Sequence, residues 1–160
     1  MPGDALLRKY SHGGYADCYF TEVSGVVTHA QYVEAFYTTA LFGLERWILS
    51  WLAARPSTDA QVRDMASGKV ESFAAWSVEA RAANQLLLCD LRGHTRSWLM
   101  SSTLQNNWTR LMFGSAVLPV TDRRTGEKKM SLAFRLLLGF HKLYSRMLLR
   151  AAVSRLRHLG

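Results

Sequence analysis

The stretch that decides the fold is residues 73–118, which read FAAWSVEARAANQLLLCDLRGHTRSWLMSSTLQNNWTRLMFGSAVL. Four short segments rich in β-formers follow one another in and around it, at 72–81, 85–92, 94–102 and 108–118. Turn residues such as Asn84, Gly93 and Asn106 separate these segments. The gaps are too short for the crossover that a parallel pair requires, so each connection must be a hairpin. The sequence therefore predicts an antiparallel β-meander.

A meander needs a second layer to cover its buried face, and residues 130–159 form the long segment able to supply it. Apolar residues recur there every three or four positions, which predicts an amphipathic helix. We expect four residues of this helix to face the sheet: Leu137, Phe140, Tyr144 and Leu148. We expect four basic residues to face solvent: Arg135, Lys142, Arg146 and Arg150. Three further residues should lie at the edge of the apolar stripe, where a cavity could open: Leu136, Leu143 and Met147.

The chain before the meander predicts one strand and three short helices. Residues 1–15 combine glycines with charges, so we expect a loose arm, and the β-formers of 16–27 predict the first strand. Apolar periodicity then predicts helices at 30–39, 41–54 and 60–67, the first capped by Thr28 and the third by the segment Ser57-Thr58-Asp59. Five strands with these helices give an α+β fold in one domain spanning 1–160.

The composition narrows the function classes. The net charge is +8, and ten Lys or Arg residues after residue 122 stand against the single acid Glu127. Cys18 and Cys89 are far apart, and the five histidines lack ligand spacing, so we expect neither a metal site nor a cofactor. No secretory signal is visible, and the apolar runs are too short to span a bilayer, so the expected location is cytoplasmic.

The order of elements resembles the helix-grip fold of the START-like superfamily (SRPBCC), which includes polyketide cyclases and the birch-pollen-allergen type. The stretches 73–80, 86–90 and 95–99, read FAAWSVEA, LLLCD and TRSWL, are similar to a bacterial branch of it. The resemblance implies a sheet that wraps the C-terminal helix and leaves an apolar cavity between them. Two features depart from the family's pattern: only five strands are predicted, and the helical insertion after the first strand is long.

Charged and aromatic residues of the meander are the candidate ligand contacts. Charges inside alternating strands are typical of a solvated sheet face, but on the concave face they would pair or orient a ligand. Asp90 and Arg96 flank the turn at Gly93, so we predict that they pair across it. The predicted ligand-binding set adds aromatic side chains, which supply apolar area and polar tips: Trp76, Asp90, Arg96, Trp98, Arg110, Phe140 and Tyr144.

These observations favour the binding of a hydrophobic small molecule, such as a lipid, a polyketide or another aromatic. A cyclase or hydrolase is the first alternative, with Asp90, Glu79 or His141 as acid or base. A second is an interaction module, including a homodimer, that docks through the apolar part of helices 32–52. The basic C-terminal helix is typical of a solvated face and is also compatible with an anionic membrane surface. Nucleic acid is not favoured, because no recognition motif accompanies the charge.

Overall fold

The structure, a computed structural model, describes residues 1–39, 58–73, 75–121, 128–129 and 132–159, and side chains are described outside 120–142 and 158–159. Within these residues the fold is α+β: an open antiparallel sheet of six strands packs against helices, the last of which is C-terminal. The helix predicted at 41–54 lies outside the described residues.

The sheet contains the predicted meander, with the first strand of the chain beside the last. The strands are β1 Tyr15–Ser24, β2 Ser72–Phe73, β3 Trp76–Ala82, β4 Gln85–Asp90, β5 Thr95–Leu104 and β6 Trp108–Val117. Their order is β1-β6-β5-β4-β3-β2, so β1 and β2 form the edges. Six strands replace the predicted five, because the segment predicted as one strand at 72–81 divides into β2 and β3, which pair antiparallel. A separate ribbon pairs β7 Val120–Thr121 with β8 Lys128–Lys129.

The helices are α1 His29–Tyr37, α2 Asp59–Ala66 and α3 Leu132–Leu159. The predicted caps are confirmed: Thr28 and Thr58 each form a capping box with the glutamine three residues later. Gly68 follows α2 with a φ of +78°, in the left-handed region that glycine occupies without strain. Local sequence chemistry therefore sets both helix starts and the end of α2.

The sheet is covered on both faces. The helix face packs its side chains, Leu99 and Phe113 among them, against α1 and α3. The opposite face, which we call the N-terminal face, packs Trp98 and Met112 against the start of the chain. A sheet buried on both sides explains why the segment 94–102 places large apolar residues at consecutive positions.

The N-terminal segment is ordered, so the prediction of a loose arm is wrong. Residues Leu6–Tyr10 form a 3-10 helix, and the Leu7 side chain is completely buried on the N-terminal face. Gln85 ties this segment to the sheet: its Oε1 accepts a hydrogen bond from the Leu6 backbone N–H at 2.9 Å, and its Nε2 donates to the Asp4 carbonyl at 3.2 Å. The amide thus satisfies backbone groups that a short helix leaves free.

A β-bulge in β3 changes the predicted alternation. The register with β4 shifts between Val78 and Ala80, so Val78 packs with the helix face and Ala80 with the N-terminal face. The strict alternation expected from sequence would have placed both on one face. Glu79 stands at the bulge and reaches the N-terminal face, where its carboxylate contacts Lys9.

The described part of α3 has the predicted polarity, with one difference. Leu148 is buried and Tyr144 half-buried, while Arg146 and Arg150 are exposed, as expected. Leu143 and Met147 are not at the rim of the core but exposed, at 57% and 46%. Five side chains of this prediction lie outside the described residues: Arg135, Leu136, Leu137, Phe140 and Lys142.

Candidate functional site

A pocket of about 140 Å³ lies between the helix face of the sheet, α1 and α3. Strands β3, β5 and β6 supply its floor and the two helices its walls. Its lining residues are Phe36, Trp76, Thr95, Arg96, Ser97, Phe113, Ser115, Tyr144, Ser145 and Leu148. The pocket therefore occupies the interface where the sequence predicts a ligand.

The apolar walls are fixed by aromatic packing in the core. The Phe36 ring, fully buried, lies 4.8 Å from the Phe113 ring, and Tyr37 lies 5.1 Å from Phe36. Trp76 and Leu148 are also buried in this core, from the sheet and the helix respectively. Because side chains from α1, the sheet and α3 are packed in this core, the space between them is formed before a ligand binds.

Two of the pocket's serines already have hydrogen-bond partners. Ser97 Oγ lies 2.8 Å from the Tyr37 hydroxyl, and Ser115 Oγ donates to the Asp17 carboxylate at 2.7 Å. These bonds hold strands β5 and β6 against α1 and β1. The two hydroxyls therefore act mainly as structural groups of the pocket.

Two other polar atoms of the pocket residues have no hydrogen-bond partner among the described residues. They are Trp76 Nε1 and Ser145 Oγ, in residues that are 8% and 1% exposed. Buried polar atoms are nearly always paired, and leaving one unpaired costs about 1–3 kcal/mol. Both residues line the same pocket, Trp76 from the sheet and Ser145 from the helix. The sheet and the helix therefore each contribute to this pocket one residue with an unpaired polar atom.

Of the predicted ligand contacts, Trp76 and Tyr144 line this pocket. Arg96 borders it, but its guanidinium belongs to the N-terminal face: Nε donates to Glu79 at 2.6 Å, and the group lies over the Tyr10 ring at 4.7 Å. The Phe140 side chain lies outside the described residues. The sheet and helix thus bring together part of the predicted set.

Two other predicted contacts, Trp98 and Arg110, lie on the N-terminal face. Trp98 is completely buried in the N-terminal face, where its Nε1 donates to Gln85 Oε1 at 2.9 Å. Arg110 is half exposed on that face and bonds Glu22 through Nε and Nη2. These pairings leave neither side chain directed to the pocket.

Asp90 does not pair with Arg96, so that prediction is wrong. Its Oδ1 accepts the backbone N–H groups of His94 and Thr95 at 2.7 and 3.0 Å, which caps the β4–β5 turn. A short carboxylate next to a turn binds the nearest free backbone donors more readily than a distant side chain. Arg96 instead finds its acid in Glu79, the residue that the bulge displaces.

Glu79 is the centre of an ion-pair cluster that fastens the N-terminal segment to the sheet. It accepts hydrogen bonds from Tyr10 and Arg96 and pairs with Lys9. Partial burial raises the pKa of Glu79, but the hydrogen bonds from Lys9 and Tyr10 and the charge of Arg96 outweigh it. The pKa of this carboxyl therefore lies below its ordinary value.

We expect acid to weaken this cluster. Because the pKa of Glu79 is lower in the folded chain, its stabilising contribution is fully present above the unfolded-state pKa of about 4.3 and is lost as the pH falls through the folded-state pKa. Urea unfolding at pH 7 should therefore show Glu79→Gln to be less stable than wild type, and the difference should shrink at pH 3. Glu71→Gln, which changes an exposed carboxylate, is the matched control. A difference that is the same at both pH values would contradict the assigned role of Glu79.

Sequence reasoning missed Ser145 as a pocket residue. A signal was present: Ser145, Leu148, Leu149 and Ala152 are spaced as one buried helix stripe, and all four are buried. A serine inside an otherwise apolar stripe is a buried hydroxyl that needs a partner. Phe36 is completely buried, but no sequence pattern indicated that it borders a pocket.

Among the residues that the structure describes, no three His, Cys, Asp or Glu side chains gather as metal ligands. In the same residues, no helix is long and apolar enough to cross a membrane. Comparison of the chain with protein-family models, with curated proteins and with solved structures gives no match.

Proposed function

We propose that this protein binds a small, neutral aromatic molecule carrying a hydrogen-bond acceptor, in the pocket between the sheet and α3. The observation that carries the proposal is the presence of two unpartnered buried polar atoms, Trp76 Nε1 and Ser145 Oγ, in residues lining one pocket. Trp76 can only donate, and the serine hydroxyl can donate. A carbonyl or phenolic oxygen is the ligand group that suits such a pair.

The pocket volume limits the ligand class. A cavity of about 150 Å³ lined by apolar side chains holds a molecule such as benzene. The pocket bounded by the described residues is about 140 Å³. Among a lipid, a polyketide and a simple aromatic, this volume suits the single-ring aromatic best.

The lining chemistry favours binding without catalysis. Among the described residues of the pocket there is no carboxylate, histidine or lysine to act as a general base, and the Arg96 guanidinium is bonded to Glu79. Glu79 and Asp90, two of the three predicted acid or base candidates, are held in the ion-pair cluster and the turn cap. The His141 side chain lies outside the described residues.

The helix-grip arrangement is part of the proposal. A six-stranded antiparallel sheet with α1 and α3 on one face is the layout that the resemblance to the START-like superfamily implies. A cytoplasmic location is proposed with it. In the alternative docking surface at 32–52, Tyr32 and Phe36 are buried in the chain's own core and are therefore not exposed to a partner. Residues 40–52 of that range lie outside the described residues, and a homodimer stays a prediction that light scattering tests.

The test compares two ligands of nearly equal shape, acetophenone and α-methylstyrene, by calorimetric titration. Only acetophenone has an oxygen that can accept hydrogen bonds from Trp76 and Ser145. Because each such bond contributes about 0.5–1.5 kcal/mol, acetophenone should bind roughly tenfold more tightly. Equal affinities, or no binding by either compound at millimolar concentration, would refute the proposal.

Variants of Ser145 locate the binding site. Ser145→Ala should reduce the preference for acetophenone, because the hydroxyl is lost while the space stays open. Ser145→Leu should abolish binding of both compounds by filling the pocket. Ser154→Ala, an exposed position on the same helix, is the matched control and should bind as wild type does.

A further inference from the structure

The outward side of α3 carries a mixed apolar and basic stripe. Leu143, Arg146, Met147 and Arg150 are spaced by three or four residues, so they project from one side of the helix. All four are exposed, and Leu143 and Met147 are among the most exposed large apolar side chains described, at 57% and 46%. We call these four residues the outer stripe.

The arginines of the outer stripe differ from Arg63, Arg96 and Arg110, each of which pairs with a glutamate. Among the described residues, no carboxylate lies within ion-pair distance of Arg146 or Arg150. The Arg146 guanidinium lies over the Tyr19 ring at 5.5 Å. Both charges therefore remain available to an anionic partner.

The surrounding sequence strengthens the positive field. Between residue 128 and the last residue there is no aspartate or glutamate. The same segment contains a series of basic residues: Lys128, Lys129, Arg135, Lys142, Arg146, Arg150, Arg155 and Arg157. Any docking surface formed by this helix thus favours a negatively charged partner.

A groove of about 450 Å³ runs beside the outer stripe, between α3 and the edge strand β1. Arg146 and Arg150 line it together with Leu149 and Cys18–Thr21. Phe20, from the strand side, is 65% exposed. The groove offers room for an anionic headgroup next to two guanidinium groups, with a further apolar side chain at its border.

We propose that the outer stripe docks the protein on a membrane surface rich in anionic lipids. Leu143 and Met147 enter the boundary between headgroups and acyl chains, and Arg146 and Arg150 bind lipid phosphates. Alternation of exposed apolar and basic side chains along one helix side is typical of helices that lie in the plane of a membrane. A nucleic acid would use the charges alone and would leave Leu143 and Met147 against its phosphates.

This inference is independent of the pocket, since Ser145 and Leu148 face the core while the outer stripe faces solvent. A protein that fails to bind acetophenone could still bind vesicles, and the reverse also holds. Vesicle binding is therefore measured separately from ligand affinity.

Sedimentation of the full chain with vesicles tests the proposal. The protein should bind vesicles of phosphatidylcholine mixed with phosphatidylglycerol at low salt, and should not bind vesicles of phosphatidylcholine alone. Arg146→Gln with Arg150→Gln should weaken binding roughly 10- to 30-fold, because each basic residue near such a surface contributes about 1 kcal/mol. High salt should weaken wild-type binding by screening. Absence of binding to the anionic vesicles would overturn the proposal.

The apolar pair separates a membrane from other anionic partners. Leu143→Ser with Met147→Ser should also weaken vesicle binding several-fold, and should leave binding to a duplex DNA probe unchanged. If this variant binds anionic vesicles as wild type does, the helix recognises charge alone and the membrane proposal is wrong.

Matched controls use exposed residues elsewhere in the chain. Arg81→Gln with Arg92→Gln removes the same charge from the β3–β4–β5 region, and Leu91→Ser removes a side chain that is 54% exposed. Both controls should retain vesicle binding within about twofold of wild type, since they leave the outer stripe intact. If the arginine control loses as much binding as the stripe variant, net charge and not the stripe is responsible. Thermal melting should be nearly unchanged in all variants, as is usual for exposed sites.

Discussion

Replacing Phe36 with alanine is expected to lower the free energy of unfolding by about 3–5 kcal/mol. The side chain is completely buried, and its ring packs within 4.8 Å of Phe113 and 6.1 Å of Tyr32, centroid to centroid. The truncation removes apolar area and leaves a cavity next to a pocket that already exists, so neighbouring side chains can close little of the space. Urea unfolding followed by circular dichroism measures the loss.

Phe20→Ala is the control for this variant, because its ring is 65% exposed on the edge strand. It should change the free energy of unfolding by less than about 0.5 kcal/mol. Similar losses in the two variants would show that α1 does not pack on the sheet as described.

Replacing Trp98 with alanine is also expected to lower the free energy of unfolding by about 3–5 kcal/mol. The indole is completely buried between the sheet and the N-terminal segment, beside Leu7 and Met112, and its Nε1 donates to Gln85. Because Gln85 also holds the Leu6 backbone, the loss should include part of the anchoring of that segment. Urea unfolding gives the magnitude, and amide hydrogen exchange in residues 5–10 reports the loosening.

Trp108→Ala is the control, because this tryptophan is 42% exposed. It should lower the free energy of unfolding much less than Trp98→Ala does. Trp98→Phe keeps most of the apolar volume, so it distinguishes a structural role of Trp98 from a role in ligand binding. It should bind acetophenone as wild type does, since Trp98 lies on the face opposite to the pocket. Loss of binding in Trp98→Phe without loss of stability would restore the prediction that Trp98 is a ligand residue.

The parts of the fold that local chemistry determines were predictable from sequence. The three hairpin turns between β3 and β6 and the caps at Thr28 and Thr58 depend on residues within a few positions of one another, and these were predicted. The exposure of Arg146 and Arg150 followed from helical spacing alone.

Face assignments within the sheet were not predictable, because both faces are buried. In β5, Trp98 and Leu99 are both fully buried on opposite sides, so hydrophobicity does not indicate which of them faces the helices. The bulge near Glu79 leaves no signal in composition, yet it decides the partner of Arg96. The predicted Asp90–Arg96 pair does not form for this reason. The Asp90 carboxylate binds backbone N–H groups of the turn, and the Arg96 guanidinium binds the displaced Glu79.

The N-terminal segment was missed because its anchor is nonlocal. Leu7 is apolar but stands among charged and glycine-rich sequence, and the residue that holds the segment, Gln85, lies far along the chain. Most of the pocket lining was likewise missed. The predicted ligand contacts include three of its ten residues, Trp76, Arg96 and Tyr144, whereas Ser145 required the helix to be placed against the sheet.

The indole N–H resonance of Trp76 offers the most direct measurement of whether the pocket binds a ligand. In a nitrogen–proton correlation spectrum this resonance is assigned by its absence in Trp76→Phe, and acetophenone is then titrated into the wild-type protein. Binding in the pocket predicts a saturable downfield shift of the Trp76 proton as its unpartnered Nε1–H gains an acceptor, while the Trp98 resonance, already hydrogen-bonded to Gln85, stays in place. An unmoved Trp76 resonance at millimolar acetophenone, or a Trp98 shift in its place, would contradict the proposed site.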